Sequence, residues 1–134
     1  MPREPSDLTV ISKTKDLLTY ILKISENAPK KFRFTLTSRL INTVSDALQE
    51  IIMANEAPLV INTTDAAERK QLQHKALAHF KVTDAFAMAA RQTGCITADQ
   101  YRVLSNMLFD CIRLTAAWIK SDARRLNNSK FQQS

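Results

Sequence analysis

Apolar residues recur along this chain at the three- and four-residue spacing of helices that each hide one face, in four separate runs. The first run covers residues 8–26 behind the capping candidates Ser6 and Asp7. Leu8, Ile11, Leu18, Ile21 and Leu22 share its face, with Leu17 and Ile24 widening one flank. Pro29 closes it. The second helix spans about 33–56, and Leu36, Leu40, Val44, Ala47, Leu48 and Ile51 form its seam before Pro58. Residues 57–64 read as the longest loop, and Thr63 or Thr64 caps a third helix over 64–94. Leu72, Ala76, Phe80, Thr83, Phe86 and Ala90 point inward there, and Gly94 suits a left-handed terminus. Thr97-Ala-Asp-Gln100 is a capping box for a fourth helix over 97–126. Tyr101, Leu104, Leu108, Cys111, Thr115, Trp118 and Ile119 line its inner face, and the polar stretch 127–134 reads as a disordered tail. Four amphipathic helices on short or medium connections predict one all-α domain, an antiparallel up-down four-helix bundle. A three-helix protein with a long arm is the weaker alternative.

The fourth helix carries more apolar surface than a bundle needs. Its arc runs from Val103, Leu114 and Met107 through Leu104 to Ile119, Ile112 and Phe109, well over half the circumference. Association hides such surplus, so the pattern predicts a homo-oligomer; a wide but single core is the alternative. The remaining sector is basic: Arg102, Arg113, Lys120 and Arg124 fall within about 40° of one another, along roughly 30 Å of helical rise.

Composition agrees with the helical pattern, because one glycine and four prolines are too few for repeated hairpins. Charge adds a partner class. The net charge is +6, and residues 68–134 hold the whole surplus, with eleven basic against five acidic residues. A second basic cluster, Lys30, Lys31, Arg33 and Arg39, sits at the start of the second helix. Such clusters meet polyanions by long-range attraction, so RNA and DNA are the first partners to consider. No stretch has the length and apolarity of a membrane span, and the N-terminus has no signal-peptide character, which predicts a cytoplasmic protein.

Catalytic chemistry finds no constellation in the sequence. His74 and His79 are five residues apart, not the four that lets two imidazoles share a metal on a helix. His79 reads as a satisfied core or interface residue. One glycine cannot build a phosphate-cradling loop, and Cys95 and Cys111 make no metal-ligand pattern. Cys111 and Trp118 read as packing residues, and Phe32 or Phe34 as a staple holding the basic loop to the core. The expectation is a protein that is not an enzyme and has no cofactor and no metal.

Several of these stretches resemble one family. Pro29-Lys-Lys-Phe-Arg-Phe34 with Leu36 and Ser38-Arg39-Leu40 is similar to the loop and second-helix start of the Avd-like four-helix-bundle proteins. These are accessory variability determinants of diversity-generating retroelements, related to bundle proteins encoded in intervening sequences of 23S ribosomal RNA genes. Gln73-His-Lys-Ala-Leu77, Thr93-Gly-Cys-Ile-Thr97 with Tyr101, and Ala116-Ala-Trp-Ile119 extend the resemblance over about residues 8–126. Thr37-Ser38 stands where many Avd-like sequences carry Gly-Asp, which is closer to the ribosomal relatives. Ala54-Asn55-Glu56-Ala57 departs from the Asn-Ile-Ala-Glu-Gly signature of those relatives, so the Avd side fits better.

The resemblance implies a barrel-shaped homopentamer with a basic surface. Such a protein binds RNA and DNA, associates with a reverse transcriptase and supports mutagenic copying of a template RNA. By matching position, Lys30, Lys31, Arg33 and Arg39 are the implied contacts; the stripe Arg102, Arg113, Lys120 and Arg124 follows from helical geometry. The alternative function is a structural or regulatory bundle of the 23S intervening-sequence type that binds a protein or RNA partner.

Overall fold

The structure is a computed structural model that describes residues 5–133, with side chains described over 9–129. It is all-helical: α1 (Pro5–Ser25), α2 (Ser38–Glu56), α3 (Thr64–Gln92) and α4 (Ala98–Gln133), with no strand among the described residues. α1 packs on α2 and α4, and α3 closes the ring against the same two helices. One core runs through all four. Val10, Leu17 and Ile21 of α1 meet Leu40, Val44 and Ile51 of α2, Phe80 of α3, and Leu104, Leu108 and Trp118 of α4.

Helix ends follow from capping chemistry. Pro5 occupies the first turn of α1, where its missing N–H costs nothing, so Ser6 and Asp7 fall inside that turn rather than before it. Thr63 Oγ1 accepts from Ala66 N–H at 3.2 Å and opens α3. The capping box of α4 is reciprocal: Gln100 N–H donates to Thr97 Oγ1 at 3.0 Å, and Thr97 N–H donates to Gln100 Oε1 at 2.9 Å. α3 ends through Gly94 at φ +80°, which lets the Cys95 and Ile96 amides both reach the Ala90 carbonyl, at 2.8 and 3.2 Å. A Cβ on Gly94 would touch nothing within 4 Å, so Gly94→Ala costs only its backbone strain. The expected loss is about 1 kcal/mol, read as a thermal midpoint lower by roughly 4 °C. An unchanged midpoint would contradict it.

Three expectations need correction. The buried face of α1 is Val10, Thr14, Leu17, Ile21 and Ile24, while Leu22 is exposed and Ile11 and Leu18 are half-buried; Leu8 lies outside the described side chains. A polar residue at the centre of the seam turned the apparent face. Thr14 is tolerated there because its hydroxyl donates to the Val10 carbonyl at 2.8 Å. α4 does not stop at 126 but runs to Gln133, so residues 127–133 are helical rather than a disordered tail. Nothing in Asn127-Asn-Ser breaks a helix, and Ser129 Oγ donates back to the Arg125 carbonyl at 3.0 Å. The apolar flank of α4 is also less open than its arc suggests: Met107, Ile112 and Leu114 are half-buried against the core, leaving Phe109 exposed.

Candidate nucleic-acid interface

The connection between α1 and α2 is wound, not open. Lys30–Phe32 forms a 3₁₀ turn and Arg33–Thr37 a π turn, closed by the Ser38 amide on the Arg33 carbonyl, before α2 begins. A π turn holds an extra residue and re-aims the side chains it carries. Phe32 and Leu36 pack against the core, whereas Lys30, Lys31, Arg33 and Phe34 are exposed. Phe32 is therefore the staple, with the Lys31 ammonium 5.0 Å from its ring centre, and Phe34 is not. Arg39 lies with its guanidinium 5.9 Å from the Phe86 ring of α3, which orients it along the bundle. Lys30 and Arg33 flank a small cleft of about 210 Å³ with Thr37 and Glu26 on its wall.

The stripe on α4 is exposed along its length but uneven in charge. Arg102 pairs with Asp99 at 2.9 Å and Arg113 with Asp110 at 3.7 Å, each one turn away, so the N-terminal half is partly neutralised. No ion pair among the described residues engages Lys120 or Arg124.

Packing of α3 on α4 brings Lys120 to a cleft of about 300 Å³. Leu59, Ala66, Ile119 and Leu126 make its walls apolar, and Lys70, His74 and Lys120 stand around it. Lys70 and His74 also border a shallower groove on α3 that reaches Lys75. Thus residues from the loose basic edge of the third helix and from the stripe share one surface, an arrangement no single-helix pattern contains.

A buried polar network supports this cleft from inside. Arg69 grips Asp122 with two bonds, Nε at 2.7 Å and Nη2 at 3.1 Å, and reaches the Ala57 carbonyl through Nη1 at 3.2 Å. Gln73 Nε2 donates to the same carboxylate at 2.7 Å, and Arg125 Nη1 stands 3.5 Å from it. The Arg69 guanidinium lies 5.2 Å from the ring centre of Trp118, which is fully buried. Arg69 and Asp122 are each 5% exposed, so the network ties α3, α4 and the residue ending α2 together in low dielectric.

These residues escaped the periodic reading because they are polar. Reading the α3 seam backwards from Phe80 through Ala76 leads to Gln73, Arg69 and Ala66, and reading α4 forward from Trp118 leads to Asp122. The signal was the spacing, with the hydropathy against it.

His79 is partnered and Cys111 is buried. His79 Nδ1 lies 2.6 Å from Glu50 Oε1 across α3 and α2, the satisfied histidine expected. Burial pushes the Cys111 thiol up to about 11, against a lowering contact from Thr14, which leaves it protonated and inert at neutral pH. No group of His, Cys, Asp or Glu among the described residues could hold a metal ion, and no described helix is long and apolar enough to cross a membrane. What the surface supplies is fixed positive charge beside apolar concavity, suited to phosphates and to flat or aliphatic groups.

No protein-family model and no curated protein matches the chain. Among solved structures, it is similar to a crystal structure of a protein with unknown function from the S23 ribosomal protein family of Bacteroides thetaiotaomicron. The match has a TM-score of 0.74 at 18% identity and covers 86% of this chain and 98% of that one. At that identity the likeness establishes the fold, a four-helix bundle.

Proposed function

We propose that this protein is a non-enzymatic accessory factor of a diversity-generating retroelement, which binds nucleic acid and a reverse transcriptase in the cytoplasm to support mutagenic copying. The observation that carries the binding half is the convergence of Lys70, His74 and Lys120 on one α3–α4 surface, continued along α4 by Arg113 and Arg124. The reverse-transcriptase half rests on the Avd-like resemblance of the Pro29–Leu40 segment and the later stretches.

The proposal includes the antiparallel up-down arrangement and a homo-oligomer, pentameric by the same resemblance. Cross-helix pairings support the first: Glu50 meets His79 and Thr43 meets Thr83, the order that opposed α2 and α3 would give. Exposed Leu22, Ile52, Met53, Val82 and Met88 supply apolar surface for the second.

A second reading, a structural or regulatory bundle of the 23S intervening-sequence type, is favoured by the family name of the solved neighbour. Whether a reverse transcriptase gene sits beside this one, and whether the two products co-purify, separates the two. The first reading expects a stable complex, and a pure chain whose affinity for RNA falls with log salt at a slope on the order of −3. Failure to bind RNA at low salt would end the binding claim. RNA binding without reverse-transcriptase association would favour the second reading. Gel filtration with light scattering tests assembly, and a clean monomer would end the pentamer.

A further inference from the structure

Most of the described aromatic side chains are buried or half-buried; the two exposed ones are Phe34, at 86%, and Phe109, at 63%. The other large apolar residues that reach solvent are aliphatic or methionine. Phe34 sits inside a basic cluster, and Phe109 beside two arginines that each pair with an aspartate one turn earlier. Phe34 lies on the π turn beside exposed Lys30, Lys31 and Arg33. Phe109 lies opposite the buried seam of α4, one turn from Arg113 and in the same sector as Arg102 and Asn106.

Neither exposure follows from a shortage of core. Phe32, two residues before Phe34, is packed inward, and the extra residue of the π turn turns Phe34 out. On α4, Ile112 and Leu108 fill the inward positions next to Phe109. A ring held in water by a rigid helical segment loses favourable burial and gains nothing from its own chain. Cations around it make the site attractive to a polyanion that carries flat apolar faces.

We propose that Phe34 and Phe109 are stacking platforms for unpaired bases, so that the protein's nucleic-acid ligand is a single strand rather than a duplex. The inference rests on the nucleic-acid-binding reading above and specifies the form of ligand. Lys30, Lys31 and Arg33 hold the phosphates flanking the base on Phe34, and Arg102 and Arg113 those flanking the base on Phe109. A duplex offers phosphates in the same way, but its base faces are already stacked on each other, so the rings gain nothing from it.

The test compares oligouridine with an RNA duplex of equal length, for the full chain and for Phe34→Leu and Phe109→Leu, which keep bulk and apolarity but remove the aromatic face. Each substitution is expected to weaken oligouridine binding about tenfold, to leave duplex affinity within about twofold, and to leave the salt slope unchanged. Phe34→Trp should retain binding, and its added indole fluorescence should be quenched by oligouridine. Equal weakening toward both ligands, or unchanged oligouridine affinity in both leucine variants, overturns the stacking proposal while leaving nucleic-acid binding intact. In the latter case the exposed rings would anchor a protein partner instead. A wild-type chain that binds neither ligand overturns both readings together.

Discussion

Asp122→Ala is expected to lower the unfolding free energy by about 3 kcal/mol, a large share of the 5–15 kcal/mol typical of a domain. The carboxylate accepts from Arg69 at 2.7 and 3.1 Å and from Gln73 at 2.7 Å, and Arg69 and Asp122 are both nearly sealed from water. Removing it leaves a permanently charged guanidinium and an amide without the acceptor they were aimed at, in a medium where each missing bond is costly. Removing charge from both sides should behave differently. In Arg69→Met/Asp122→Leu the cavity is refilled by apolar atoms, and the part of the loss due to the stranded guanidinium should be recovered, while the buried Gln73 amide still lacks its acceptor. Urea unfolding followed by circular dichroism measures both. A single variant within 1 kcal/mol of wild type would mean that the network contributes little and that Trp118 packing alone joins α3 to α4.

How much of this was legible in the sequence depends on how closely hydropathy tracked burial at each position. Along α2, Leu40, Val44, Ala47 and Ile51 are apolar, regularly spaced and buried, and the periodic pattern located them directly. The caps at Thr63, Gly94 and Thr97 were equally legible, because each uses a residue type with one physical advantage at that place. The pattern misled where a polar residue occupies the seam. Thr14 displaced the face of α1 toward Leu22, and Arg69, Gln73 and Asp122 hid the α3–α4 junction. Those residues satisfy each other across 49 to 53 positions of sequence, which a single-helix wheel cannot see.

The candidate interface divides in the same way. Exposure of Lys30, Lys31, Arg33, Arg39, Arg102, Arg113, Lys120 and Arg124 was readable as charge on a helix or loop. The partial neutralisation of Arg102 and Arg113 was implicit in Asp99 and Asp110 three residues earlier. That Lys70 and His74 join Lys120 depends on which face of α3 packs against α4, and so on the buried network.

Reversal of the stripe, Arg113→Glu/Lys120→Glu/Arg124→Glu, is expected to reduce RNA affinity at least ~100-fold at moderate salt and to flatten the salt dependence by about 2 in slope. The fold should survive, since all three side chains are exposed and, among the described residues, the only ion pair lost is the 3.7 Å contact of Arg113 with Asp110. Net charge must be separated from placement, because three such reversals take the formal charge from +6 to zero wherever they are made. Lys13→Glu/Lys15→Glu/Lys23→Glu on α1 provides that control, as all three lysines are exposed and lie outside both basic clusters. If long-range attraction alone drives binding, the two variants weaken it equally and the stripe has no special part. If phosphates seat along α4 and the α3–α4 cleft, the control loses only a few-fold while the stripe variant loses most of its binding. Lys120→Glu alone should then account for the largest single share, because it faces both the stripe and the cleft and has no carboxylate to release when phosphate arrives.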